Sequence, residues 1–493
     1  MEQGILYLLD LQLIIMVFSG VLIGIIFGAI PGLSATMAIA LFIPITFVMP
    51  PVTGISFLIG IYCGGMYGGA IPAILIGTPG TPGAAATILD GYAMGKNGES
   101  GRALVYATVG SFVGGMFSSI VLILLAPQLA AFGLKFGGPE FFALGVFGLS
   151  IVASISGDNL MKGLIGAGFG LVIATVGMDP IVGSPRFAFG NAHLTGGISF
   201  IPALIGLFAI SQVLVDSEQQ NDTLSKKEVH YKKQRVSLRE LFTQWVEFLR
   251  ASIIGTVVGI IPGSGAGIST FLAYNESKRF SKKPEKYGKG IPEGVIATET
   301  SNNATTGGTL VPLLTLGIPG DSVTAVIFGG LLIHGLTPGP DLFAENLDVV
   351  HGLFGTLIIA NIFMLILGMF FIRYLVKIAS VPKNVLIPII VVFCFIGSFS
   401  ISNNIFDVWV ALAFGVLGYF MMKFNYPLPP LILGMILGPI IESNLRRSLI
   451  QTDEGIMIFL TRPISLIFLI VTILTLLYPV VKNLMQQRKN IKT

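Results

Sequence analysis

The chain has 493 residues, of which 53% are hydrophobic and only 11% charged, against roughly a quarter charged in an average soluble domain. Such a surface is made to meet lipid, and no segment stands out as a separate soluble domain. The net charge of +4 comes from loops between apolar runs, which excludes a continuous basic face for nucleic acid, and two cysteines in apolar runs, Cys63 and Cys394, exclude a disulfide framework or metal-ligand spacing.

Apolar stretches of spanning length recur at Leu11 to Ile30, Ala103 to Pro127, Phe141 to Ser156, Leu353 to Ile372, Val385 to Ile401 and Ile464 to Val481. A hydrocarbon core of about 30 Å takes about 20 helical residues, so the pattern predicts an all-α polytopic membrane protein with about 10–12 transmembrane segments, some short or broken. No basic region precedes the first run, which reads as a retained helix rather than a cleaved signal peptide.

The chain also repeats itself. GAIPGLSA from Gly28 matches GIIPGSGA from Gly259 at an offset of 231, and PAILIGTPG from Pro72 matches PLLTLGIPG from Pro312 at an offset of 240. A weaker match sets SGDNLMKGLIGAGFG from Ser156 beside ISNNIFDVWVALAFG from Ile401. The change of offset places an insertion in the charged stretch Lys278 to Lys289. The division predicted is a first membrane repeat over 1–215, a cytoplasmic connector over 216–250, a second repeat over 251–455, and an extra C-terminal helix with a basic tail over 456–493.

Loop charge orients the halves, because lysine and arginine are retained on the cytoplasmic side. The loop Met49 to Gly54 has no basic residue, whereas its counterpart Lys278 to Lys289 has six. The next pair reverses: Lys96 and Arg102 follow the first break, while His334 to His351 carries Asp341, Glu345 and Asp348. Equivalent loops on opposite sides define an inverted-topology repeat. The basic connector Lys226 to Arg239 and the tail after Lys482 are then cytoplasmic, and the N-terminus with Glu2 and Asp10 is outside. Glu442 to Glu454, read as a loop, balances Arg446 and Arg447 with three acids and leaves its side undecided.

Two segments cannot be ordinary helices. GTPGTPG from Gly77 and GIPGD from Gly317 place proline where a helix needs an amide proton. At membrane depth such backbone survives only inside protein or beside a wet cavity, and matched interruptions in two halves point to a transporter's binding site. The helices that restart there present free amides to an anion. Candidate substrate contacts are therefore Ser34, Gly77, Thr78, Gly80, Thr81, Ser264, Gly265, Gly317, Gly320 and Ser322. Ser34 and Ser264, with Ser269, flank the Pro-Gly turns and are equally expected as turn-forming or small packing residues.

Before each break lies a ladder of small residues, Gly60, Gly64 and Gly68 in one half and Thr300, Ala304 and Gly308 in the other, suited to close helix contact. The second ladder adds a polar stripe of Glu299, Asn302, Asn303 and Thr306 on one helical face, whose first-half counterparts Ile59, Tyr62, Cys63 and Met66 are mostly apolar. A charge in a membrane segment costs roughly 2.5 to 3.5 kcal/mol, so Glu299 is a functional candidate. Glu299, Asn302, Asn303 and Asp321 form the candidate cation set, with no metal beyond a possible sodium ion. Asp90 reads as an interfacial residue beside Lys96, and His193, His334 and His351 as loop residues. No HExxH occurs, and PGSGAG at Pro262 lacks the end of a phosphate-binding loop, so no catalysis is expected.

These motifs, with GSPRFAFGN and LILGMILGPIIESNLRRSL, resemble the large permease subunit of the tripartite tricarboxylate transporters, in order from about residue 11 to about residue 450. The resemblance implies a bacterial inner-membrane system of three proteins: this subunit, a small four-helix membrane subunit and a periplasmic solute-binding protein. It implies uptake of small di- or tricarboxylates such as citrate, driven by a gradient of sodium or protons, with no other cofactor. Where the family often has proline before the acid, this chain has Thr298. A passive anion channel and a non-transporting scaffold subunit are the alternatives.

Overall fold

The computed structural model describes residues 10–155, 160–218, 234, 236–378 and 383–490. In the first half, α1 (Leu11–Ala29) turns into α2 (Ala35–Thr46), and α3 (Pro51–Gly68) continues as α4 (Ala70–Ile76) up to the first break. Then follow α5 (Ser100–Gly133), α6 (Gly138–Ile155), α7 (Leu160–Ala174) and α8 (Phe200–Glu218). The second half follows. It has α9 (Trp245–Ile260), α10 (Gly265–Phe280), α11 (Pro292–Leu316), a break, α12 (Ser322–Ile333), α13 (Leu347–Phe370), α14 (Lys383–Ser402), α15 (Ile405–Lys423) and α16 (Leu428–Ile450). Helix α17 (Pro463–Asn490) closes the described chain.

The repeat motifs explain the matched elements. Both Pro-Gly turns need a glycine in the left-handed region, Gly32 at φ 95° and Gly263 at φ 80°. Helices α7 and α15 open at the equivalent residues Leu160 and Ile405 of the third match, whose first four residues lie outside the described ones. The extra residues of the second half fall between Phe280 and Pro292, where the first half passes from Thr46 to Pro51. Glu2 and most of the basic connector also lie outside the described residues.

Among the described residues eight helices are long and apolar enough to cross a membrane, or nine if Gly455–Thr461 and Pro463–Leu477, bent by 88°, count as one span. That is fewer than the ten to twelve expected. Ala35–Thr46, Leu160–Ala174 and Ser322–Ile333 are too short to cross alone. Helix α11 has the length but is too rich in Glu, Asn and Thr to count. The run Ile464 to Val481 lies in one helix, with the chain bent at Arg462 just ahead of it, and one expectation is corrected: the supposed loop from Glu442 is helical as far as Ile450.

The long helices at the centre, α3 and α11, are buried from Val52 to Gly68 and from Gly294 to Thr315. Helix α1 packs on α3 and α9 on α11, each within its half. Other contacts cross between halves: α5 packs on α11, α13 on α3, α16 on α7 and α15 on α8. Glycines permit this closeness. A Cβ at Gly60 would stand 2.8 Å from the Val17 carbonyl oxygen, and one at Gly308 would stand 2.7 Å from that of Thr256. The backbones themselves touch, as the ladders led us to expect. Because α11 is enclosed by α3, α5, α9 and α10, its polar side chains face protein rather than lipid. A small antiparallel pair, β1 (Gly177–Met178) with β2 (Pro185–Arg186), departs from the all-helical plan.

Candidate functional site

Each break begins the same way. Gly77 (φ 70°, ψ 26°) and Gly317 (φ 70°, ψ 22°) end their helices in the left-handed conformation. Thr78 N then donates to Pro72 O at 3.4 Å, and Ile318 N to Pro312 O at 3.2 Å. These bonds satisfy last-turn carbonyls that would otherwise face no donor. Four residues past each glycine the chain turns back, at Thr81 and at Asp321. Asp321 caps α12 with Thr324 in a reciprocal box. Thr81 opens the short 3-10 turn Pro82–Ala84 without a side-chain cap.

These two restarts meet the beginnings of α2 and α10 around a cavity of about 410 Å³. Ser34 and Thr36 enter it from α2, Ser264 and Gly265 from the start of α10, Ser322 from α12, and Thr81 with Gly83 from the turn. The starts of three helices of 12, 16 and 12 residues thus border one space. Each leaves amide protons without intrahelical acceptors and carries about half a positive charge. Among the described residues no lysine or arginine lines the cavity, and its one charged side chain is Asp321. Anion attraction here comes from backbone.

Of the predicted contacts, Ser34, Thr81, Ser264, Gly265, Ser322 and Asp321 line this cavity, and Gly77, Thr78, Gly80, Gly317 and Gly320 do not. The latter shape the walls. Gly320 O accepts from Gly263 N at 2.7 Å, tying the second break to the second Pro-Gly turn. Gly80 N donates to Gly69 O at 3.2 Å.

The polar stripe of α11 forms a separate, fully buried cluster. Glu299 accepts a short hydrogen bond from Thr87, and its Oε2 lies 3.4 Å from Asn302 Nδ2 and 3.5 Å from Ser111 Oγ. Asn302 Nδ2 also donates to Met66 O at 3.0 Å, and Asn303 Nδ2 donates to Ser111 Oγ at 2.7 Å. Both asparagine Oδ1 atoms are buried without a hydrogen-bond partner. The Thr306 hydroxyl donates to the Asn303 carbonyl of its own helix at 2.6 Å. No cation pairs with Glu299 among the described residues. Its surroundings are neutral donors, Thr87 and Ser111 from the first half and Asn302 from its own helix.

Sequence reading passed over Thr87, Ser111, Gly83 and Tyr62. Only Tyr62 carried a signal, since it stands at the Asn302 position of the first half. Asp90, read as interfacial, faces the α10–α11 loop, where its Oδ1 accepts from Gly288, Gly290 and Ile291 amides at 2.9, 2.7 and 3.0 Å, and its Oδ2 from Tyr274 at 2.8 Å. It fastens one half to the other. Of the histidines, His334 is half-buried, with Nε2 3.1 Å from Thr46 Oγ1, and His193 stacks on Phe406. Arg446 is neutralised by Asp179 at 2.6 Å and Glu442 at 3.1 Å, while Arg186 grips Glu442 at 2.6 and 3.2 Å.

The family model described as the tripartite tricarboxylate transporter TctA family matches residues 14–433. An Agrobacterium vitis protein described as an uncharacterized 52.8 kDa protein in the TAR-I ttuC' 3' region is 37% identical over 462 residues, 92% of this chain and 90% of that protein. A second from the same organism, described as an uncharacterized protein in the TAR-II ttuC' 3' region, is 38% identical over 211 residues, 43% of this chain and 87% of that protein. No solved structure matches the chain.

Proposed function

The chain belongs to the tripartite tricarboxylate transporter TctA family, and from that premise we propose that it is the large permease subunit of a secondary transporter importing small di- or tricarboxylates. The observation that carries the reading is the cavity bordered by the starts of α2, α10 and α12 and by the Thr81 turn. A carboxylate entering it exchanges water for fixed amide donors, supplemented by the hydroxyls of Ser34, Ser264 and Ser322. With no basic side chain in the wall, a co-transported cation offsets the anion's charge. The Glu299 cluster supplies oxygen ligands of the kind that sodium takes, and the cation is sodium or a proton.

The halves act as inverted repeats, the reading supported by loop charge and by the crossed packing of α5 on α11 and α13 on α3. Movement of the broken segments against the outer helices exposes the cavity to either side in turn. The subunit works in the bacterial inner membrane with a small membrane partner and a periplasmic binding protein, its N-terminus outside and its C-terminus in the cytoplasm.

Vesicles holding the three proteins test this with labelled citrate and a panel of small carboxylates. Saturable uptake that collapses when the sodium or proton gradient is dissipated is the expected result. Flux that rises linearly with concentration and ignores both gradients would make the subunit a channel.

A further inference from the structure

The lining of the cavity divides by origin. Its hydroxyls come from the starts of α2, α10 and α12 and from the Thr81 turn. The three starts stand together. Thr36 Oγ1 and Ser322 Oγ are 3.4 Å apart, Gly263 N donates to Gly320 O at 2.7 Å, and a Cβ at Gly265 would stand 3.4 Å from Asp321 Cβ. Another part of the lining comes from α8, which brings Phe208, and from α16, which brings Pro427, Pro429 and Leu433. None of these four side chains has a polar atom.

Helix α16 also begins at this space, and it differs from the other three. A helix leaves the amides of its cap and first three residues without intrahelical acceptors. In α2, α10 and α12 those positions read SATM from Ser34, SGAG from Ser264 and DSVT from Asp321, and every residue has its amide proton. In α16 they read PLPP from Pro427, and only Leu428, which does not line the cavity, has one. A helix start stands here stripped of its donors.

This asymmetry decides which carboxylates fit. Carboxylates gathered at one end of a small molecule reach the hydroxyls and amides of α2, α10 and α12 together. The remainder of the molecule lies against Phe208, Pro429 and Leu433. A hydrocarbon remainder is favoured there by burial, whereas a further carboxylate gives up water and gains no donor. Asp321 offers that carboxylate no donor either, since its own oxygens accept from Thr324 N at 2.8 Å and Tyr62 at 2.9 Å.

We propose that the cavity prefers carboxylates whose acidic groups lie at one end and whose body is hydrocarbon, and that Phe208, Pro429 and Leu433 set this preference over compact tricarboxylates such as citrate. Citrate then binds with part of its charge facing no donor. The proposal deepens the transport reading and rests on it for the use of the cavity.

The test is calorimetric binding of phenylsuccinate, succinate and citrate to the purified full-length chain in sodium chloride at neutral pH. Phenylsuccinate is expected to bind about tenfold more tightly than succinate, which has the same two carboxylates without the ring, and more tightly than citrate. Pro429→Ala returns an amide proton to the donor-free wall at a position that suits alanine, and is expected to tighten citrate about fivefold while succinate stays within about twofold. Phe208→Ala is expected to cut the advantage of phenylsuccinate over succinate to about twofold or less. Citrate bound more tightly than phenylsuccinate by the parent overturns the preference. So does a ratio of citrate to phenylsuccinate affinity that Pro429→Ala and Phe208→Ala both leave unchanged. In either case carboxylates still bind and the transport reading stands, whereas a parent that binds none of the three overturns both.

Discussion

Tyr62 donates its hydroxyl to Asp321 Oδ2 at 2.9 Å, joining the central helix of the first half to the break of the second. The other carboxylate oxygen accepts from Thr324 N at 2.8 Å, so Asp321 serves α12 and α3 together. The Tyr62 hydroxyl is also 2.9 Å from Thr309 Oγ1. Removing it leaves Oδ2 without its tyrosine donor, a loss of about 1.5–3 kcal/mol for a bond to a charged group. Tyr62→Phe should lower the midpoint of thermal unfolding by more than Thr309→Val, which spares the carboxylate's donor. Equal shifts would move the weight of this contact to Thr309.

Sidedness is checked by single cysteines at exposed positions. Val48 and Lys282 occupy corresponding loops, and Glu345 lies in the acidic loop after α12. With inverted halves, cysteines at Val48 and Glu345 react with an impermeant maleimide added outside the cell, and one at Lys282 reacts only after the membrane is opened. Val48 and Lys282 labelling from one side would refute the inversion.

Much of this arrangement was legible because it depends on backbone, which proline and glycine govern locally. The left-handed turns at Gly77 and Gly317 and the lining roles of Ser34, Ser264 and Ser322 follow from such residues. Contacts made across the halves were not legible. Nothing local says that Asp90 will hold the amides of Gly288, Gly290 and Ile291, or that Thr87 will bond Glu299. Among the described residues the long apolar helices number eight or nine, and the remaining apolar segments are short helices, because hydropathy records how apolar a stretch is and not whether it crosses unaided.

The ion network at the end of α16 predicts a pH dependence. Amides of Val182 and Ile181 and the Arg446 guanidinium hold the Asp179 carboxyl well below the usual carboxylate range. A depressed native pKa adds stability that is complete above the unfolded value of about 4 and is lost as pH falls toward the native one. Asp179→Asn should therefore be less stable than the parent at pH 6, with the gap narrowing as pH is lowered through about 4 and below. A gap in thermal midpoint that stays constant from pH 6 to pH 3 would show that Asp179 acts only as a neutral loop cap.

The left-handed glycines and the prolines that follow them make separable contributions to the breaks. Gly317 stands at φ 70°, where a side chain adds roughly 1–2 kcal/mol of backbone strain, and its Cβ would come 2.7 Å from the Pro338 carbonyl oxygen. Pro319 lies two residues beyond Gly317, where proline bars continuation but makes no turn of its own. If the glycine turn aims the start of α12 at the cavity, Gly317→Ala lowers citrate uptake per unit of membrane protein further than Pro319→Ala does. The same order is expected for Gly77→Ala against Pro79→Ala, since Gly77 has the same φ and its Cβ would meet the Tyr92 ring at 2.9 Å. Uptake assayed in vesicles with matched amounts of each variant decides it. If the proline variants lose as much as the glycine ones, the barrier to helix continuation sets the geometry, and the left-handed turn only accommodates it.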